Sequence, residues 1–259
     1  MPRFYADVSL ATETSISLPE QTARHVQVLR LQPGDALTLF NGQVPAGHTA
    51  AEGEFEAVVE RMGRSDVQIR VGAFVPTARE ALRAVHLVVG MPANERMDWL
   101  VEKATELGVA SIQPLVSERS VLRLKGERAE KKVAHWRGVA IAACEQCGRN
   151  RPPQVHAVMS LTEWTTMQAA APSTSSTGQR LLLSLSESTQ PLASHLALAA
   201  PTADLTFMSG PEGGLSPGEE ASALRLGFEA VTLGPRVLRA ETAPLACLAW
   251  LSLLPALER

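Results

Sequence analysis

The sequence has little cysteine, few aromatic side chains and no long apolar run. Its three cysteines are an odd number in a chain of 259 residues, which argues against a disulfide framework and favours a reducing compartment. Its apolar runs fall short of the ~20 residues that a membrane-spanning helix needs. Its first residues also lack the apolar core of a signal peptide. We therefore expect a cytoplasmic protein with no membrane partner.

Neither sign of charge dominates the chain, whose 24 basic and 27 acidic residues give a net charge of −3. The basic residues are unevenly spread, because Ser117–Arg151 contains nine of them against four acidic residues. A local excess of that sign suits a polyanion such as RNA, although a solvated helix face can have the same composition. Aromatic residues make up only 4% of the chain, so base stacking on many rings is not expected.

Residues 1–75 have the pattern of short strands with polar turns, interrupted by one amphipathic helix at about Glu20–Leu29. The strand-like runs are Arg3–Ala6, Ala36–Phe40, Glu54–Val59 and Val67–Ala73. Short strands closed into a small barrel are found in nucleic-acid-binding modules. We predict a β-barrel-like domain that ends near residue 75.

Residues 76–259 alternate apolar strands with helical segments, which indicates an α/β domain with a parallel sheet covered on both faces. The predicted strands are Val85–Val89, Ser111–Val116, Arg180–Ser184, Leu205–Ser209 and Ala230–Leu233. The predicted helices are Asn94–Leu107, Glu127–Gln146, Ala193–Leu198, Pro217–Leu226 and Thr242–Leu253. The serine-rich stretch Ala171–Gln179 is predicted to be a loop.

Two loops that follow predicted strands have an unusual composition. One is Gly210-Pro211-Glu212-Gly213-Gly214, and the other runs from Gly234 to Ala243 with Arg236, Arg239, Glu241 and Thr242 in it. Ligands bind beyond the carboxyl ends of strands in open α/β sheets, so these loops are the first candidates for a site. Their spacing matches neither the dinucleotide fingerprint nor the phosphate-binding loop. The simpler interpretation is that Ser216 and Glu219 form a capping box and that Thr242 caps the last helix.

Both loops lie in segments that resemble a known family. SGPEGGLSPGEE at 209–220 and LGPRVLRAETAPLA at 233–246 are similar to the two signature segments of SPOUT-class methyltransferases. The closest resemblance is to the RsmE family of small-subunit ribosomal RNA uridine N3-methyltransferases. RHVQVLRLQPGD at Arg24–Asp35, EKATELGVASIQPLVSERS at Glu102–Ser120 and EQCGRNRPP at Glu145–Pro153 resemble further segments of that family. Because the segments occur in order along nearly the whole chain, together they are far more specific than any one of them.

The resemblance implies a SPOUT-type methyltransferase domain at 76–259, with a deep trefoil knot and a parallel sheet. It implies a small PUA-like RNA-binding β-barrel domain at 1–75. It also implies S-adenosyl-L-methionine as cofactor and 16S ribosomal RNA, or the small ribosomal subunit, as partner. By motif match the cofactor would be bound by Leu185, Gly210, Glu212, Gly213, Gly214, Leu233, Gly234, Leu238 and Arg239.

The implied reaction is methyl transfer to N3 of a specific uridine. Because N3 of neutral uridine carries a proton, negative charge must be stabilised on the base when that proton leaves. Arg239, with Arg236 near it, is the candidate for this role, and Glu212 or Glu241 is the candidate base. Structural salt bridges within the loops are the alternative. The candidate RNA contacts are Arg3, Arg24, Arg30, Arg119, Arg123, Arg149 and Arg151.

A homodimer is also implied by the resemblance, and the last predicted helix agrees with it. Its apolar residues are too many to point into one core, so part of this surface should meet a second chain. They are Leu245, Cys247, Leu248, Trp250, Leu251 and Leu254.

Other functions remain open from the residues alone. The chain could be a non-catalytic RNA-binding factor of ribosome assembly that keeps the fold, or an α/β enzyme that binds a phosphorylated small molecule at its glycine-rich loop. Cys144-x-x-Cys147 could indicate metal or redox chemistry. It lacks a second ligand pair of standard spacing, so we expect no metal site.

Overall fold

The computed structural model describes residues 1–45, 52–93, 95–170, 178–196 and 202–253. Most of the predicted loop at Ala171–Gln179 lies outside these residues, as do Asn94, Leu198 and Leu254. Backbone contacts divide the chain into two units. The first unit consists of Met1–Glu80 and Ile141–Pro152, and the second consists of Ala81–Ala140 and Pro153–Arg259.

The first unit contains a five-stranded sheet and one helix. The strands are β1 (Arg3–Tyr5), β2 (Thr14–Ser17), β3 (Ala36–Phe40), β4 (Gly53–Met62) and β5 (Val67–Pro76), and the helix is α1 (Glu20–Val28). The sheet order is β1-β3-β4-β5-β2, with β1 parallel to β3 and the other pairs antiparallel. Alternate residues of β4 (Phe55, Ala57 and Val59) are buried against Val26 and its neighbours, as the two-residue period of a strand requires.

Arg3 is one of the residues that join the segment Ile141–Pro152 to the rest of the first unit. The Arg3 guanidinium forms an ion pair with Glu54 and stacks over the Phe40 ring at 4.9 Å. It also donates hydrogen bonds to the carbonyl oxygens of Gly148 (3.1 Å) and Arg149 (3.3 Å) and to Oδ1 of Asn150 (2.9 Å). The sequence pattern, which ended the first domain near residue 75, contained no signal for this return of the chain.

Arg149 is buried in the same unit, with 5% of its surface exposed. Its guanidinium donates to both carboxylate oxygens of Glu80, with Nε at 3.0 and 3.1 Å from them. The Glu80 carboxylate raises the pKa of Arg149 against the opposing effect of burial. The pair is therefore a buried ion pair that fixes residue 149 beside residue 80.

The second unit is built on an eight-stranded sheet in which all paired strands are parallel. Its strands are β6 (Val85–Gly90), β7 (Ser111–Val116), β8 (Gln154–Val155), β9 (Met159–Ser160), β10 (Gln179–Leu183), β11 (Gln190–Pro191), β12 (Leu205–Ser209) and β13 (Glu229–Thr232). The order is β11-β13-β10-β12-β6-β7-β8, and β9 pairs with β7. The predicted α/β fold with a parallel sheet is thereby confirmed.

Six helices are described in or running into this unit. They are α2 (Glu95–Glu106), α3 (Gly126–Cys147), α4 (Leu161–Ala170), α5 (Leu192–Leu196), α6 (Pro217–Arg225) and α7 (Thr242–Ser252). One face of the sheet buries Leu87 and Phe207 with Leu248 of α7. The other face buries Met208 with Trp164 of α4. No helix within the described residues is both long enough and apolar enough to cross a membrane.

The buried pair of Arg149 and Glu80 predicts a stability effect. In Glu80→Ala the Arg149 guanidinium would stay buried without this carboxylate, which typically costs about 3–5 kcal/mol. We expect the apparent free energy of unfolding in urea to fall by that order.

The matched control is Arg24→Ala, because Arg24 and its partner Glu20 are 74% and 75% exposed. That variant should cost less than about 1 kcal/mol. Equal losses in the two variants would contradict the role assigned to the buried pair.

Candidate active site

A cavity of about 630 Å³ lies at the carboxyl end of the second unit's sheet. The neighbouring strands β13, β10 and β12 all end there, and the loop after each strand forms part of the cavity wall. A cavity of this size suits a ligand of cofactor size. The wall includes each residue predicted to bind a cofactor: Leu185, Gly210, Glu212, Gly213, Gly214, Leu233, Gly234, Leu238 and Arg239.

The loop after β12 needs glycine for close packing and for a tight turn. A Cβ on Gly210 would lie 2.6 Å from both the Gly214 carbonyl carbon and the Leu215 nitrogen. Gly214 has φ +68°, and its N–H donates to the Pro211 carbonyl at 2.8 Å. The loop therefore folds back on itself and presents backbone groups to the cavity.

Glu212, a predicted base, is held by one donor from the segment before α2 and one from the first turn of α2. Its Oε1 accepts hydrogen bonds from the Ala93 backbone N–H at 2.9 Å and from Arg96 Nη1 at 3.2 Å. Arg96 Nε lies 3.9 Å from Oε1 of Glu241, which is buried. Arg96 therefore bridges the glycine-rich loop and the start of α7. The engaged carboxylate of Glu212 supports a bracing role better than that of a free base.

Arg119, which the sequence suggested as an RNA contact, lies in the cavity wall. Its Nη1 donates to the carbonyl oxygens of Gly213 at 3.0 Å and of Leu215 at 3.1 Å. A Cβ on Gly213 would lie 3.0 Å from the Arg119 Cβ, so only glycine fits there without displacing the arginine. The structure thus gives Arg119 the role of holding the glycine-rich loop.

The predicted capping box at the start of α6 is confirmed. Ser216 Oγ accepts a hydrogen bond from the Glu219 N–H, and Glu219 Oε2 accepts one from the Ser216 N–H at 2.9 Å. The other Glu219 oxygen accepts from the Glu118 N–H at 2.8 Å, which ties α6 to the segment after β7.

At α7 the predicted cap by Thr242 is wrong, because the helix begins at Thr242 and its cap position is Glu241, which makes no side-chain cap bond.

Arg236 and Arg239 are exposed at the cavity wall. Among the described residues neither guanidinium has a hydrogen bond or an ion pair, so the salt-bridge alternative has no support there. The Arg239 backbone is fixed, since its carbonyl accepts from the N–H groups of Thr242 at 2.9 Å and Ala243 at 3.1 Å. A guanidinium placed this way can bind a negatively charged group in the cavity.

Sequence reasoning missed several polar contributors to the cavity wall besides Arg96, among them Ser184, Ser209 and Glu220. Ser184 Oγ donates to the Glu220 carboxylate, 3.2 Å from each oxygen. Ser209 is buried, and its Oγ has no hydrogen-bond partner within the described part of the chain. A buried hydroxyl without a partner is costly, which makes Ser209 a candidate contact for a bound ligand.

The other predicted RNA contacts differ in exposure. Arg3 and Arg149 make the intramolecular contacts given above, and only 13% and 6% of their side-chain surfaces are exposed. Arg24, Arg30, Arg123 and Arg151 are exposed. Arg24 pairs with Glu20, and Arg123 donates to the Glu118 carbonyl at 2.8 Å.

The cysteine motif is not part of a metal-binding cluster in the described residues, which contain no suitable group of three His, Cys, Asp or Glu side chains. Cys144 is buried, and burial raises the pKa of its thiol to about 12. Burial also raises the pKa of the Cys247 thiol to about 12. Both thiols therefore remain protonated at neutral pH, which suits packing rather than nucleophilic or redox chemistry.

Comparisons with known proteins show which proteins this chain is similar to. A sequence model of the RNA methyltransferase domain family matches residues 79–252. A ribosomal RNA small subunit methyltransferase E from Mycobacterium bovis is 34% identical over 83% of this chain and 77% of that protein. A protein of the same name from Neisseria gonorrhoeae, in a crystal structure bound to S-adenosyl methionine, superposes with a TM-score of 0.85 at 35% identity over 98% of both chains. A Legionella pneumophila protein solved with bound SAM has a TM-score of 0.83 at 32% identity over 96% of both chains.

The thiol pKa values predict an alkylation pattern. At pH 8 a thiol of pKa about 12 is only ~10⁻⁴ thiolate, so Cys144 and Cys247 should resist iodoacetamide in the folded protein. We expect at most one adduct per folded chain, at the half-buried Cys147, by intact mass and peptide mapping. Three adducts in urea are the control. Fast labelling of folded Cys144 would contradict the inert packing role.

Proposed function

The chain belongs to the ribosomal RNA small subunit methyltransferase E family, and we propose that it transfers a methyl group from S-adenosyl-L-methionine to N3 of one uridine in 16S ribosomal RNA. The observation that carries the proposal is the convergence of three strand-end loops on one cavity, with all nine motif-matched residues in its wall. These loops follow β10, β12 and β13, and the order β13-β10-β12 of these parallel strands brings the loops to one edge of the sheet.

The cavity residues fit S-adenosyl-L-methionine. Two glycine-bearing loops offer backbone groups for its polar edges, and the Ser209 hydroxyl, which has no partner among the described residues, offers one more. Leu183, Leu185, Leu233 and Leu238 supply apolar contacts in the same wall. When bound, the cofactor supplies an electrophilic methyl group on a positively charged sulfonium. The protein's part is to align the acceptor base and to stabilise the charge that develops on it.

Arg239 is the residue that we assign to charge stabilisation. Its guanidinium lines the cavity and is free of competing partners among the described residues, while its backbone is anchored at the start of α7. As the N3 proton passes to solvent water, the negative charge left behind spreads onto the uracil carbonyl oxygens, which a guanidinium can bind through paired N–H donors. Arg236 lies in the same wall and can assist.

We assign the base role to neither carboxylate in the described cavity wall. Glu212 is engaged by Ala93 and Arg96, and Glu220 accepts from Ser184. Glu241, the other predicted base, is buried outside the described cavity wall. These carboxylates hold the loops in place. The chemistry that we attribute to this chain therefore depends on Arg239 more than on a protein base.

We also propose the finer architecture implied by the resemblance. The second unit would be a SPOUT-type domain with a trefoil knot, formed where the loops after β12 and β13 meet at one end of the sheet. The first unit would be a PUA-like RNA-binding domain, supported by its mixed five-stranded sheet. Exposed arginines would contact the RNA backbone, namely Arg24, Arg30, Arg123 and Arg151.

A homodimer is part of the same proposal. On α7, Leu245, Cys247 and Leu248 are buried within the chain, whereas Trp250 is 37% exposed and Leu253, directly after the helix, is 82% exposed. Trp99, on the contacting helix α2, is 46% exposed. Apolar residues left at the surface in this way support a contact with a second copy, and light scattering of the full chain tests it.

The role of Arg239 predicts a specific kinetic defect. Arg239→Ala should lower single-turnover methylation of unmodified 16S ribosomal RNA by about 10²–10³-fold, the scale of losing one charge-stabilising donor. The affinity for S-adenosyl-L-methionine, measured by calorimetry, should change little because this side chain braces no loop within the described part of the chain. Arg239→Lys should recover little activity, since an ammonium cannot reproduce the planar fork.

Arg225→Ala is the matched control, because Arg225 is an exposed arginine of α6 outside the described cavity wall. It should methylate at the unmodified rate. Normal turnover in Arg239→Ala would exclude the catalytic role. Joint loss of melting temperature and cofactor affinity would assign Arg239 a structural role instead.

The proposed RNA contacts predict a change in salt dependence. The double variant Arg24→Gln, Arg30→Gln should weaken 16S ribosomal RNA binding and reduce the slope of log affinity against log salt by about 1–2. Cofactor affinity should stay unchanged. Filter binding at several salt concentrations measures the slope, and an unaltered slope would remove these two arginines from the interface.

A further inference from the structure

A second cavity, of about 230 Å³, lies at the amino end of the same sheet. Four side chains in register form its floor. Arg180 on β10 pairs with Thr206 on β12, Thr206 with His86 on β6, and His86 with Ser111 on β7. Residues in register on parallel strands point to the same face, and all four line the cavity.

A polar row at this level of the sheet is unexpected. Parallel strands covered on both faces are normally almost continuous apolar runs. On the same face, two residues further along, Leu182, Met208 and Val88 pack into the core with Trp164 and Phe228. The row nearer the amino ends of the strands is polar, and the next row on the same face is apolar. Packing of the core therefore does not explain why the residues of the first row are polar.

The cavity wall combines positive charge with several hydrogen-bond donors. Arg180 is charged at any physiological pH, and His86 and His156 also line the cavity. Among the described residues of this wall there is no Asp or Glu. Burial lowers the pKa of His156, and repulsion from His86 and Arg137 lowers it further. A bound anion would relieve that repulsion.

The geometry also limits the size and shape of an anion. His86 Nδ1 lies 2.7 Å from Ser111 Oγ, and each group keeps further hydrogen-bonding capacity. Arg180 Nη1 donates to the Leu226 carbonyl at 3.0 Å, which fixes the guanidinium in position. The volume lies below the ~300–1,000 Å³ of pockets for drug-sized ligands. A compact anion with several acceptor oxygens fits best.

We propose that this cavity binds a phosphate group, either as free phosphate or as a small phosphomonoester. Arg180 supplies the planar fork that suits phosphate oxygens, and the hydroxyl and imidazole groups of Thr206, Ser111, His86 and His156 supply further contacts. The site lies at the opposite end of the strands from the cofactor cavity and uses none of its residues.

NMR of the full-length protein with ¹⁵N-labelled histidine tests the proposal. Inorganic phosphate and glycerol 3-phosphate are titrated separately into a chloride buffer at constant ionic strength. The imidazole signals of His86 and His156 should shift and saturate, whereas those of His25, His135 and His195 should not. Saturation by both probes indicates that the phosphate group alone is recognised, and saturation by glycerol 3-phosphate alone indicates the ester as the source.

Two cavity variants and one control make the test specific. Arg180→Gln should weaken binding about tenfold or more, the effect of losing a charged hydrogen-bond partner. Thr206→Val keeps the shape of the row and the Arg180 contact with Leu226, and should weaken binding by a smaller factor. Arg225→Gln, outside the cavity, should bind as the parent does. Unchanged binding in both cavity variants, or no saturable shift of His86 and His156 with either probe, would overturn the proposal.

Discussion

Backbone hydrogen bonds that hold β10 between β12 and β13 decide where the chemistry of the second unit lies. β10 is in register with β12 from Gln179 opposite Leu205, and with β13 from Leu181 opposite Glu229. Because all three strands run in the same direction, their carboxyl ends reach one edge of the sheet. Loops at 184–186, 210–215 and 233–240 therefore share a cavity that no single segment could form. The other interactions in the site keep those loops where the strand register has placed them.

Charged side chains perform most of that holding, and their pairing leaves particular groups available. Glu212 is engaged by Arg96 and a backbone N–H, Glu219 by two backbone N–H groups, and Arg119 by two carbonyl oxygens. Each such contact satisfies a charge locally and fixes a loop. The same pairing leaves Arg236 and Arg239, among the described residues of the cavity wall, able to meet a substrate. A site that braces its loops with carboxylates in this way cannot also use those carboxylates freely as bases.

Features encoded within a few residues can be predicted from this sequence, whereas contacts between residues far apart along the chain cannot. The apolar strands, the Ser216–Glu219 capping box and the two glycine-bearing loops are encoded within a few residues, and the structure contains all of them. Arg96 and Arg119 were missed as cavity residues because their partners lie 116 and 94 positions away along the chain. The sequence pattern predicts one boundary near residue 75, whereas backbone contacts group Ile141–Pro152 with the first unit, which Arg3 contacts across 145 or more residues. The strands β8 and β11 have only two residues each, so they show no periodicity that a sequence pattern could reveal. α4 buries only Leu161 and Trp164, so it lacks the regular apolar face by which a helix is predicted.

β12 shows how one short strand can serve both ends of a sheet. Thr206 near its start faces the smaller cavity, Ser209 at its end faces the larger one, and Phe207 and Met208 between them are fully buried in the cores on opposite faces. At about 3.3 Å per residue, the two polar positions are roughly 10 Å apart along the strand. A ligand at one end therefore cannot touch a ligand at the other, and any influence between them must pass through the packed middle of the sheet. Close-packed interiors have low compressibility, so the buried Phe207 and Met208 keep the two polar ends of the strand at a fixed spacing while they hold the unit together.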